Sequence, residues 1–171
     1  MFHLVNFIAG MQLDVSNAHQ RKALSVSGKA YLHRNVVMKE IQKILDITFP
    51  FVETLLNDYR EFYPLVSVVK LNGTVDQVTK FKGDNIDFPD SVSVLENLKN
   101  ELRSKHKDFI AISIFYDVKL PKKQSDAVAI YVETKEENSA YTFFYTYKFE
   151  QNELVFTESW KILESTEILK D

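Results

Sequence analysis

The C-terminal part of the chain holds four β-rich runs in close succession, residues 108–118, 127–134, 140–149 and 153–160, joined by the short polar links "PKKQSD", "KEENS" and "EQN". No other feature limits the fold as tightly. Links this short join neighbouring antiparallel strands, because a parallel return needs a long crossover. Within the first run Ile110, Ile112, Ile114, Tyr116 and Val118 alternate with Ser113, Asp117 and Lys119, so one face is apolar and the other mixed. The run "AYTFFYTYKF" places Tyr141, Phe143, Tyr145, Tyr147 and Phe149 on one strand face. The expected role of that aromatic row is to pack beneath helices.

Upstream, "PLVSVVK" and "TVDQVTKFK" flank Leu71-Asn72-Gly73. Asn-Gly between two β-rich runs predicts a type I′ hairpin, in which both central residues take positive φ. Two amphipathic helices complete the pattern. From Met38 to Tyr59, Ile41, Ile44, Leu45, Val52, Leu55, Leu56 and Tyr59 recur at three and four, with Pro50 expected to kink the helix or open a second one. The other helix opens at Asp90 or Ser91, both able to cap it, and presents Val94, Leu95, Leu98 and Leu102. It fades near Lys105-His106-Lys107, where cations suit the dipole and His106 reads as a solvated cap. The fold expected is α+β in the order α-ββ-α-ββββ, an antiparallel sheet of about six strands with both helices on one face. "KILESTEILKD" reads as a short tail or frayed helix.

Charge divides the chain. Residues 1–37 carry four Lys/Arg against one acid, whereas residues 38–171 carry 17 against 23, summing to the net charge of -3. The leading segment keeps neither a helical nor a strand period for long, and its basic residues follow its apolar stretch, the reverse of a secretory signal. It is expected to be a loosely attached extension, with residues 38–171 as a single domain. The absence of cysteine excludes disulfides, thiolate metal sites and a cysteine nucleophile, and points to a reducing, cytoplasmic setting.

Asp117 lies on the mixed side of its strand, and Asp126 opens the next. Paired as a hairpin, these strands bring both carboxylates to one end of the sheet, where mutual repulsion would raise a pKa and the pair could share a proton or a cation. The competing structural roles are a turn aspartate binding backbone amides at Asp126 and a lysine-paired Asp117.

The motifs "EFYP" at 61–64, "PDS" at 89–91, "YDV" at 116–118 and "SDAV" at 125–128 carry a resemblance. In order and spacing they resemble a family of small, mostly bacterial proteins with no assigned activity, over residues 53–149. Leu65, Ser125 and Val128 stand where the family pattern has an aromatic residue, Thr and Ile. The resemblance implies that Tyr63, Asp117 and Asp126 belong to the family pattern, and it assigns no chemistry.

Other chemistries lack their residues. No G-x-G-x-x-G, Walker A or G-x-S-x-G motif occurs, so nucleotide cradling and a nucleophile elbow have no support. In "GDNIDFPD", Ile86 and Phe88 fall where a calcium loop needs oxygen ligands. Net acidity of the body argues against nucleic acid, and no apolar run is long enough to cross a membrane. The expectation is a small non-catalytic binding protein without cofactor or metal, whose partner is another protein, as in partner-neutralising immunity proteins. Tyr63, Tyr116, Asp117 and Asp126 are its candidate binding residues. The alternative is a small-ligand or hydrolytic domain using Asp117 and Asp126.

Overall fold

The computed structural model describes residues 28–78, 90–137 and 139–170, with side chains from Lys39 onward except that of Val78. By backbone packing the chain divides into residues 1–32 and 33–171, and the site lies within the second unit. Of the first unit, the described part is the opening of a helix. The expectation for the remaining N-terminal residues, 1–27, falls outside the described residues.

The elements are α1 (Gly28–Tyr59), β1 (Leu65–Lys70), β2 (Val75–Val78), α2 (Ser91–Ser104), β3 (Phe109–Leu120), β4 (Ser125–Thr134), β5 (Ala140–Glu150) and β6 (Glu153–Glu164). All strands pair antiparallel in one sheet of order β2-β1-β3-β4-β5-β6. The α-ββ-α-ββββ order and the six strands are as the sequence predicts.

Helix α1 starts at Gly28, upstream of Met38, and runs unbroken through Pro50. Proline there removes the N–H that would reach the Asp46 carbonyl, yet Asp46 and Pro50 are both exposed, so water can take the freed oxygen. The expected break is therefore avoided. The helix stops at Arg60, whose φ of 67° is left-handed and whose N–H returns to the Leu56 carbonyl at 3.0 Å. Helix α2 begins as expected: Asp90 accepts from the Val92 and Ser93 amides, and Val94, Leu98 and Leu102 are buried.

The two helices sit on opposite faces of the sheet, not on one. Helix α2 packs with Val66, Val68, Ile112, Ile114 and Tyr131. Helix α1 covers the alternate residues: Thr48 Oγ1 meets Ser67 Oγ at 2.6 Å, and the Phe49 ring stands edge-on to Tyr145 at 5.3 Å. Ser113, read as polar-face, is fully buried on the α1 side and donates to the Ser67 carbonyl at 3.2 Å. A short hydroxyl can enter a helix–sheet interface once its hydrogen bond is made. Burial on both sides explains the unbroken apolar run Ala127–Val132 in β4.

The β1–β2 turn is not type I′. Only Gly73 takes positive φ (80°), and the bonds Gly73 N to Lys70 O (2.8 Å) and Lys70 N to Thr74 O (2.9 Å) make a three-residue loop closed by a glycine bulge. Asn72 instead turns its side chain onto the loop, accepting from Thr74 N at 3.0 Å and Thr74 Oγ1 at 2.7 Å. The turn with two left-handed residues is Gln151-Asn152, φ 51° and 72°, between the paired Glu150 and Glu153. Nor is the C-terminus a frayed tail: Lys161–Glu164 extend β6, and Ile168 and Leu169 are buried against α2.

Candidate functional site

The β3–β4 register pairs Asp117 with Val128 and Lys119 with Asp126. Since directly opposed residues share a face, both aspartates stand on the α1 side at one end of the sheet. The β4–β5 register brings Tyr147 opposite Asp126. From there the Tyr147 hydroxyl reaches across β4 and donates to Asp117 Oδ1 at 2.9 Å. Neither structural role expected of the aspartates is found: Asp117 takes a tyrosine rather than a lysine, and Asp126 is exposed, with its main-chain carbonyl accepting from Ser125 Oγ at 3.0 Å but no turn amide on its carboxylate among the described residues. The turn is held by Gln124, left-handed at φ 49°, whose N–H reaches the Pro121 carbonyl at 3.3 Å.

Asp117 is half-buried, and its pKa is raised chiefly by loss of solvent. The Tyr147 hydrogen bond opposes that rise, while the charges of Asp126 and Glu61 add to it. Burial and the neighbouring carboxylates push the Tyr147 hydroxyl upward too, so it remains a proton donor. Glu61 comes from the segment joining α1 to β1. Arg60, beside it in sequence, stacks its guanidinium over the Phe149 ring at 3.9 Å, and Phe149 stands edge-on to Tyr147 at 6.0 Å. The result is a corner where three carboxylates gather around one tyrosine hydroxyl beside an aromatic wall.

Tyr63, 48% exposed, lies two residues before Leu65, whose partner is Phe115, so the chain brings it to the same end of the sheet as Asp117. Tyr116 does not join the group. It alternates with Asp117 onto the α2 face, where Glu164 and Glu167 are its charged neighbours. Beside the corner, an open groove of about 640 Å³ is lined by Asp126, Tyr147, Phe149, Lys123, Lys148 and other residues, but Asp117 is not part of its lining.

Tyr147 and Glu61 escape sequence reasoning as site members. Tyr147 looks like one more ring in the aromatic row, and only the register places its hydroxyl against Asp117. The "EFYP" motif holds Glu61 but gives it no direction. His106 is half-buried rather than solvated, with Nδ1 2.8 Å from the Arg103 carbonyl oxygen. Asp84 and Asp87 of the calcium reading fall outside the described residues. Among those described, no group of three or more His, Cys, Asp or Glu is placed to hold a metal ion, and no helix is long and apolar enough to cross a membrane. The chain matches no protein-family model, and neither the curated proteins nor the solved structures give a match.

Proposed function

We propose that this protein is a small, non-catalytic, cytoplasmic binding protein whose acidic corner receives a cationic side chain from a protein partner, in the manner of a partner-neutralising immunity protein. The observation that carries this reading is Asp117: a half-buried carboxyl, flanked by Asp126 and Glu61, with no basic ion-pair partner among the described residues. Gathering like charges raises the free energy of the fold, and an arriving guanidinium or ammonium relieves that repulsion. The overall charge of -3 favours encounter with a basic partner.

The test uses the full chain and a short arginine- and lysine-rich peptide, with a glutamate-rich peptide as control. Nuclear magnetic resonance titration is expected to give salt-sensitive shifts centred on Glu61, Asp117, Asp126 and Tyr147 with the basic peptide only. Unchanged binding by an Asp117→Asn/Asp126→Asn variant, or shifts centred elsewhere, would overturn the reading.

A further inference from the structure

On the opposite face of the sheet, Glu133 carries a carboxylate that is fully buried, with 0% exposure. Every contact made to it is from a donor. Oε1 accepts the Tyr131 hydroxyl, the Glu167 amide at 2.5 Å and the Ile168 amide at 2.9 Å. Oε2 accepts the same Ile168 amide at 3.1 Å and the Leu169 amide at 2.7 Å. Three successive amides of the C-terminal segment thus converge on one side chain of β4, and the apolar side chains of two of those residues, Ile168 and Leu169, enter the core beneath α2. A second tether lies outside: Lys99 Nζ meets Glu167 Oε2 at 2.8 Å, and Arg103 Nε donates to the Glu167 carbonyl at 3.0 Å.

We infer that residues 165–170 form a strap latched by the charge of Glu133, closed when that carboxylate is ionised and released when it is protonated. An ionised carboxylate only accepts, which suits both oxygens here; a protonated one must donate from one oxygen, and each oxygen already faces N–H groups. Protonation therefore removes the charge that three strap amides share; the Tyr131 hydroxyl, which also lies 3.4 Å from the Ser165 carbonyl, can accept the added proton, but the amides then face a neutral carboxyl and lose their charge-assisted bonds. The titratable and charged groups around the latch, among the described residues, are Tyr131 on β4, Tyr116 on β3, Glu164 at the end of β6, Glu167 in the strap, and Glu96, Lys99 and Arg103 on α2. Of these, Lys99 and Arg103 hold Glu167 rather than Glu133, so they guide the strap without neutralising the latch. Release withdraws Ile168 and Leu169 and uncovers the apolar seam between α2 and the sheet.

Amide hydrogen exchange on the full chain tests this. In Glu133→Gln the side-chain NH₂ stands in for the protonated oxygen. Exchange at Glu167, Ile168 and Leu169 is expected to quicken about tenfold or more, while β3 and β4 keep their protection. Wild-type exchange rates at those three amides in the variant would overturn the inference. A second measurement decides the matter even if that variant does not fold: acid titration of the wild type followed by amide chemical shifts. The strap amides should lose their hydrogen-bonded shifts while the sheet amides retain theirs, and loss of both in one common transition would refute the latch.

Discussion

A carboxyl half out of water, held by the Tyr147 hydroxyl and the Val118 amide and faced by two other acids, is a costly arrangement, and at residue scale the cost sits on Asp117. Tyr147 is what makes it tolerable. Removing that hydroxyl with Tyr147→Phe leaves the carboxylate without its side-chain donor, so the variant should lose about 1 to 3 kcal/mol in urea unfolding at neutral pH. It should also raise the Asp117 pKa further, since the larger lowering contribution goes while the smaller one from the Val118 amide and the raising ones stay, a change that carbon-detected titration of the carboxyl can follow. The sequence made the meeting of Asp117 and Asp126 legible, because strand alternation and a short link suffice to place them. It left Tyr147 illegible, because a cross-sheet hydrogen bond over an intervening strand depends on two registers at once. Glu133 was hidden for a related reason: a lone glutamate at a strand end looks solvated until a segment more than thirty residues away folds over it.

At the scale of elements, local chemistry is legible in the sequence where one residue decides and illegible where two turn conformations compete. Asp90 capping α2 and the buried stripe Val94, Leu98 and Leu102 follow from capping geometry and period. The hairpins exchanged roles: Asn72-Gly73 forms a bulged three-residue loop, and Gln151-Asn152 takes the two left-handed positions. Gln151 is a poor resident of that region, because its Cβ crowds the backbone there. Replacing the pair with Asn-Gly should stabilise the protein by about 0.5 to 1 kcal/mol, read as a raised urea midpoint with unchanged slope. Gly73→Ala should cost on the order of 1 kcal/mol from backbone strain alone, since the nearest atom to an added Cβ, Lys43 Nζ, is 3.9 Å away. A neutral result at Gly73 would contradict the bulged loop.

On the scale of the whole molecule, the sheet carries one helix on each face. The α+β class, element order and strand number were legible because antiparallel neighbours follow sequence neighbours. The side each helix takes is not, since Ser113 reads as a polar-face residue until the Ser67 carbonyl is seen to satisfy it beneath α1. With one helix on each face, the acidic corner lies at the sheet's end, where Asp117 has no basic ion-pair partner among the described residues, and its raised pKa means that the fold holds this carboxyl against its own stability. A carboxyl whose folded pKa lies above its unfolded value contributes stability at low pH and loses it as pH rises from the unfolded pKa through the folded one. Wild type should therefore fall behind Asp117→Asn across that interval, and the gap should hold at higher pH. Equilibrium urea unfolding of wild type and Asp117→Asn at about pH 3 and pH 7, either side of the ordinary aspartate range, measures this directly. Asp117→Asn, which keeps an acceptor for Tyr147, is expected to gain on wild type between the two conditions and to be at least as stable at pH 7; a variant less stable at pH 7 by about 1 kcal/mol or more would mean that the Asp117 charge supports the fold instead.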